Sequence, residues 1–295
     1  MNALLKELRY RAKNKTHFLY DYYQSLIAGN FNHKKFSHVK EFCLFVGYGR
    51  TGHTLIGSLL DAHPNIVIGI EWNPLNLIRL GYKSKNQIYY SILKNSQYFS
   101  NFYKNVWSGY SYRVTNGMQG KYEKITIIGD KSGGLNTTHL YNDYNLLEKM
   151  TDIIQRRPKL IHTIRNPFDV ITTTAIRKFE IDHLNKTPKT SDLLKFIQIF
   201  FNSAEIIQKL KDENKYEMFD LYHEEFIGSP KENLNNLIEF LGEHADQEYL
   251  EKCCAIVYKE PHHSRTNIKW DKNLILYVEE EMKKYAFLKN YNYNN

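Results

Sequence analysis

Between Phe45 and Thr54 the chain reads FVGYGRTGHT. Gly47, Gly52 and Thr54 fit the phosphate-binding pattern G-x-x-x-x-G-K-[ST], but His53 stands where that pattern places the lysine that reaches the outer phosphates of a nucleotide. The loop still has what an anion needs. Gly47, Gly49 and Gly52 let the backbone turn tightly and come close to a ligand. Arg50 supplies a cationic fork, Thr51 and Thr54 supply hydroxyls, and a following helix would present unpaired N–H groups, the one of His53 among them. A second basic point is Arg165, which leaves the end of the apolar run LIHTI and precedes Thr173 by eight residues. Glu71 ends the run NIVIGI, and Asp130, followed by Lys131, ends KITIIGD. An acid after an apolar strand also suits a magnesium-binding carboxylate of a phosphotransferase, the best feature for a kinase-like alternative.

These residues need elements to hold them at one edge. FCLFVG (42–47), NIVIGI (65–70), KITIIGD (124–130) and KLIHTI (159–164) are continuous apolar runs of strand length, as expected of strands buried on both faces of a parallel sheet. HTLIGSLLDAH (53–63) carries Leu55, Ile56, Leu59 and Leu60 at helical spacing. Asn166 and Pro167 read as the cap and first residue of a helix to about Phe179. Residues 192–213 read as a long apolar helix, 216–226 as extended, and 272–288 as a closing helix. Ser229-Pro230-Lys231-Glu232 reads as a capping box opening a helix to Leu241. Residues 1–40 look mostly helical. Residues 82–122, rich in Tyr, Ser, Asn and Lys with poor periodicity, read as an irregular insertion, a candidate wall for a second substrate. The tail 289–295 reads as disordered. The pattern is an α/β fold in a single domain over 1–295, a central parallel sheet flanked by helices.

Composition narrows the class. Apolar residues make up 42% and charged residues 24% of 295, ordinary for a globular protein with a sizeable core. The net charge of +8 suits an anionic partner, yet it is spread along the chain with no basic block, so no nucleic-acid partner is expected. No apolar run is long enough to span a membrane. The N-terminal stretch lacks the apolar core and cleavage site of a secretory signal. Cys43, Cys253 and Cys254 have no metal-ligand spacing, and neither does His262-His263, so no metal is expected and a reducing, cytoplasmic location is.

GRTGHTLIGSLLDAHPNIVIGIE resembles the donor-binding segment of the sulfotransferases that use 3′-phosphoadenosine 5′-phosphosulfate (PAPS), closest to the tyrosylprotein, carbohydrate and related bacterial enzymes. Their pattern is Arg-Ser-Gly-Thr-Thr, a helix ending in Leu-Asp-Ala-His-Pro, then a strand and a glutamate. Here Arg50-Thr51-Gly52-His53-Thr54 takes the loop, Leu60-Asp61-Ala62-His63-Pro64 the helix end, and Glu71 the position of the family's general base. The missing lysine is thereby accounted for, since this loop type carries its basic residue, Arg50, before the glycine. The departure is His53, where the family has a small hydroxyl residue. Arg165 and Thr173 resemble the pair that holds the 3′-phosphate. Lys131 resembles the lysine that assists at the transferring group, and SRTNIKW (264–270), with Arg265 and Lys269, resembles the basic loop over the nucleotide end.

The resemblance implies a P-loop nucleotide-kinase-like sulfotransferase fold and transfer of a sulfuryl group from PAPS, leaving adenosine 3′,5′-bisphosphate (PAP), to a hydroxyl or amine. It implies no metal. With neither anchor nor signal in the sequence, a small-molecule acceptor is expected ahead of a carbohydrate or a peptidyl tyrosine. The alternatives of another class are an ATP- and magnesium-dependent kinase and a silent nucleotide- or RNA-binding protein.

Overall fold

The computed structural model describes residues 20–107, 109–182 and 188–295. Its core is a five-stranded, all-parallel sheet built from β1 (Glu41–Gly47), β2 (Ile66–Gly69), β5 (Ile127–Asp130), β6 (Lys159–Ile164) and β7 (Met218–Tyr222), in the order β2-β5-β1-β6-β7. A two-stranded antiparallel pair, β3 (Val106–Trp107) and β4 (Tyr110–Ser111), stands apart from it. Side chains of a strand alternate between faces. Phe42, Leu44 and Val46 enter one apolar cluster, while Cys43 and Phe45 enter another. Both faces are therefore covered, which is why the β1 sequence is apolar without a break.

Helices supply the covers. Residues 20–31 are helical (α1), followed by α2 (His53–Asp61), α3 (Pro74–Arg79), α4 (Lys85–Asn101), α5 (Gly133–Asn142) and α6 (Leu146–Ile154). Then come α7 (Pro167–Ile181), α8 (Leu193–Glu213), α9 (His223–Gly228), α10 (Pro230–Leu241), α11 (Gln247–Cys254) and α12 (Lys272–Met282). Leu59 and Leu60 of α2 pack with Leu234, Leu237 and Ile238 of α10 on one face. Ile88 and Ile92 of α4, Met150 of α6 and Ile197 of α8 pack on the other. At the end of α2, the buried Asp61 carboxylate accepts from Ile68 N–H at 2.8 Å, the Ser96 hydroxyl at 2.9 Å and Gly120 N–H at 3.0 Å. The Leu-Asp-Ala-His-Pro stretch thus ties α2 to β2 and α4. Among the described residues no helix is long and apolar enough to cross a membrane.

Four expectations are corrected. Residues 82–122 are not an irregular insertion, because α4 is a 17-residue helix capped by Ser84, whose hydroxyl accepts from Gln87 N–H. Its pairs Ile88/Ile92 and Tyr89/Leu93 lie at i, i+4 and face the core. The tail 289–295 is not disordered. Tyr291 donates its hydroxyl to Glu224 at 2.6 Å, and the Tyr293 ring lies edge-on to Phe168. Ser229 makes no side-chain cap bond, and Pro230 alone marks the start of α10. The stretch 216–226 is extended only through β7 before it turns into α9. Of the helical reading of residues 1–40, positions 1–19 lie outside the described residues.

Candidate active site

The connection from β1 runs to β2 on one side and that from its neighbour β6 runs to β7 on the other, so the direction of winding reverses between β1 and β6. The carboxyl end of such a strand is where open α/β sheets bind ligands. The loop 48–52 starts there. Gly47 has φ +114°, and a Cβ on it would lie 2.9 Å from the His162 ring, so only glycine fits. Arg50 has φ +68° and Gly52 has φ +88°. The first intrahelical bond of α2 runs from Ile56 N–H to the Gly52 carbonyl at 3.2 Å. The N–H groups of His53, Thr54 and Leu55 precede it and have no partner within the helix, which leaves them and the positive helix end toward the loop.

Two loop side chains turn inward. The buried Thr51 hydroxyl bonds Thr163 Oγ1 on β6 at 2.6 Å and fastens the loop to the sheet. The His53 imidazole is buried edge-on to Phe45, beside the Thr51 hydroxyl, and a Cβ on Gly133 would overlap it. Burial pushes His53 down to about 3, with Lys131 adding to the effect, so the ring is neutral. His53 therefore does not replace the lysine of the phosphate-binding pattern, and only its N–H faces the loop end. Arg50 is half-buried, which lowers its pKa, and Glu71 is among the groups opposing that shift.

Glu71 sits on a forced turn. Beyond β2 its backbone takes φ +56°, and Asn73 takes φ +58°. The turn is held from below by the buried Asp130, whose two carboxylate oxygens accept Trp72 N–H at 2.9 Å and Asn73 N–H at 3.2 Å. Asn73 N–H also donates to the Ser132 hydroxyl at 3.1 Å. Burial pushes Asp130 up to about 6, with Ser132 and the two N–H groups opposing. Both oxygens are engaged inside the protein, so Asp130 is a brace, not an open magnesium ligand. Among the described residues no group of three or more His, Cys, Asp or Glu could hold a metal ion.

Lys131 completes this half. Its N–H donates to the Gly69 carbonyl at 2.8 Å, and its stem runs over α2 where Gly57 leaves room. Nζ, on a side chain 3% exposed, donates to Glu71 Oε1 at 2.8 Å, on a side chain 41% exposed. Glu71, Lys131 and the loop of Arg50 thus stand at the carboxyl ends of the neighbouring strands β2, β5 and β1.

The second half lies beyond β6. Arg165, 8% exposed, donates Nη1 to the Arg50 carbonyl at 3.0 Å and Nη2 to the His262 carbonyl, while its Nε is buried without a partner. Thr173 on α7 bonds Ser264 Oγ at 2.7 Å. Arg165 and Thr173 therefore share one corner. Arg265 does not offer its charge to that corner. Its N–H donates to Asp169 at 2.7 Å, Nη2 meets His263 Nδ1, and Nη1 donates to the backbone oxygens of Asn292 and Asn295. Asn166, the cap of α7, donates Nδ2 to the same two oxygens. Lys269 is exposed and lines a shallow cleft with Thr190, Ser191 and Leu194; its carbonyl accepts from the Thr190 hydroxyl.

The fold has a solved counterpart. A sulfotransferase from Mycobacterium avium superposes with a TM-score of 0.52 over 94% of this chain and 81% of that chain, at 11% identity. The chain has the sulfotransferase fold. Looser likenesses are a sulfotransferase from Alicyclobacillus acidocaldarius (TM-score 0.45, 14% identity, 85% of this chain and 96% of that chain) and the sulfotransferase domain of the Synechococcus PCC 7002 olefin synthase (0.44, 16%, 81% and 84%). No family model and no curated protein sequence matches the chain.

Within this sulfotransferase fold, sequence reasoning missed Ser264, the bracing role of Asp130, and two imidazoles beneath the loop. His162 donates its Nδ1–H to Asp220 at 2.9 Å, and Lys211 pairs with the same carboxylate at 2.7 Å. His223 lies against Gly52. Burial pushes His223 down to about 4 and lowers His162 against the pull of Asp220. Unfolded, a histidine takes up its proton near 6.5. Because the native values lie below that, the contribution of His53, His162 and His223 is complete above about pH 6.5 and drains away as the pH falls through it. Asp61 and Asp130 act the other way. Burial pushes both from 3.8 up to about 6, so they favour the fold at low pH and lose that contribution as the pH rises from about 4 to about 6. At pH 5 the three imidazoles outweigh the two carboxyls. The melting temperature is expected to be lower at pH 5 than at pH 7. An equal or higher value at pH 5 would mean that these imidazoles carry protons in the native state.

Proposed function

We propose that the protein is a PAPS-dependent sulfotransferase acting on a hydroxyl or amine of a small-molecule acceptor. The observation that carries this reading is the Lys131–Glu71 ion pair of 2.8 Å at the strand ends beside the N-terminus of α2. A cation, a half-exposed carboxylate and helix N–H groups there meet the needs of transfer of an anionic group to a protonated nucleophile. The residues present fit the donor. The N–H groups of 53–55 and Arg50 would hold the 5′-phosphosulfate. Arg165, with its buried and unpartnered Nε, and Thr173 would hold the 3′-phosphate.

The donor supplies the sulfuryl group. Glu71 accepts the proton of the acceptor as its oxygen or nitrogen bonds to sulfur. Lys131 and Arg50 stabilise the negative charge that grows on the sulfuryl oxygens and on the departing phosphate oxygen. Thr51 and Thr163 keep the loop in register. Of the span 82–122, the stretch beyond α4, with Trp107 and Tyr112, remains the part available to shape the acceptor side. Tyr112 lies within electrostatic reach of Arg50.

PAP is expected to raise the melting temperature far more than ATP with magnesium. A ligand at a hundredfold excess over its dissociation constant adds about 2.7 kcal/mol to the native state. An equal or larger shift with ATP-magnesium would overturn the donor assignment in favour of a kinase. The acceptor follows from incubating labelled PAPS with fractionated extract and weighing what gains a sulfate; label recovered on protein or polysaccharide alone would overturn the small-molecule assignment.

A further inference from the structure

The positive charge, expected to be spread along the chain, is concentrated in one stretch. Between Glu71 and Glu123 stand seven basic residues, Arg79, Lys83, Lys85, Lys94, Lys104, Arg113 and Lys121, and no acidic one. The rest of the chain carries the other 33 of 40 basic residues against all 32 acidic ones. The same stretch exposes rings. Lys94 and Tyr98 of α4 and Phe102 at its C-cap are spaced four apart, so they share one helix face, and all three are exposed. Phe102 is 66% and Tyr98 52% exposed. Their rings stack at 4.9 Å, and Tyr103 stands edge-on to both and to Trp107. Lys104, at φ +54°, and the exposed Val106 continue the turn. Gly120 packs so closely on Gln97 and Ser100 that a Cβ there would lie 2.7 Å from Ser100 Cβ, which places the exposed Lys121 beside the same end of α4.

We propose that this aromatic and basic end of α4 is a docking surface for an anionic lipid bilayer. A contiguous exposed apolar patch with a polar rim marks an interaction site. Rings with a polar edge settle at headgroup depth, and lysines around them are drawn to acidic headgroups. Tyr98, Phe102 and Tyr103 pack on one another rather than around a pocket, and a fluid surface takes up such rings without a matching shape. Among the described residues Lys94, Lys104 and Lys121 have no ion-pair partner, so their charge is free to meet a headgroup. A second copy fits poorly. Two chains meeting through this patch would set lysine against lysine, with no carboxylate in the stretch to pair with. Docking of this kind does not depend on the reaction proposed above.

The test is co-sedimentation of the whole chain with vesicles of phosphatidylcholine alone and of phosphatidylcholine with about 30% of the anionic phosphatidylserine. Binding is expected to the second and not to the first, and it should weaken as added salt shortens the reach of the charges. A lysine near such a surface is worth about fivefold in partitioning, so Lys94→Glu/Lys104→Glu, which keeps every ring, is expected to weaken binding at least about twentyfold. Tyr98→Ser/Phe102→Ser, which keeps every charge, is expected to weaken it at least about tenfold. All four side chains are exposed, so both variants should melt with the wild type. No binding, equal binding to the two vesicles, or binding that either variant leaves intact overturns the proposal. A dimer in solution that Tyr98→Ser/Phe102→Ser dissociates would assign the patch to a second copy and overturn it as well.

Discussion

Glu71→Gln is expected to lower kcat by about 10²–10⁴ while leaving the affinity for PAP unchanged. The substitution keeps size and shape and removes the proton acceptor. The turn should survive it, because Asp130 and Asn95 hold that turn through the backbone of Trp72, Asn73 and Ile70. The glutamine oxygen can still accept from Lys131. Donor binding and melting temperature are therefore the controls, and the loss belongs to the chemical step, where kcat and kcat/KM fall together. Near-normal turnover on the true acceptor would remove Glu71 from the mechanism. His53, buried and neutral, is poorly placed to take over.

The second large effect concerns Lys131. Lys131→Met preserves the stem that passes over Gly57 and deletes the charge. Removing one preorganised donor to a developing anion costs about 10²–10³ in kcat. The Glu71 carboxylate left behind is open to water and needs no replacement partner, so the fold should tolerate the change. Because the two side chains act as one unit, the double variant Glu71→Gln/Lys131→Met is expected to lose much less than the product of the single losses. Strict multiplication would mean that the ion pair is incidental to two separate roles. A Lys131→Met enzyme turning over at the wild-type rate would place the transition-state charge elsewhere.

Legibility in the sequence followed the physics of each element. β1, the loop and α2 could be read because a strand buried on both faces has no polar interruption, and because Gly47 and Gly52 mark two positions that need φ > 0; the positive φ of Arg50 has no such mark. That Arg165 and Thr173 share a corner could be read because β6 and α7 follow one another in the chain, whereas their partners Arg50, His262 and Ser264 are distant in sequence. α4 could not, since Tyr, Ser, Asn and Lys dilute its Ile88/Ile92 spacing although the helix buries them against β2. The inward turn of His53 depends on Gly133, eighty residues away, and nothing local announces it. The partners of Arg265 within the chain could not be read either. Its partners are Asp169 and two backbone oxygens of a tail whose Asn-rich composition reads as unstructured. Ser264 carries no sequence signal of its own beside that arginine.

The hydrogen bond of 3.0 Å from Arg165 Nη1 to the Arg50 carbonyl links the two halves of the site through a residue whose backbone is held at positive φ. In the proposed assignment Arg165 grips one end of the donor and the Arg50 loop grips the other. Any change in the guanidinium on binding a phosphate is then felt by the loop, and the reverse holds with the same free energy, because linkage is reciprocal. Two fragments of the donor, one ending in a 3′-phosphate and one in a 5′-phosphosulfate, would accordingly not bind as independent guests. Each should alter the dissociation constant of the other by the same factor, and replacing the arginine should abolish that cooperativity.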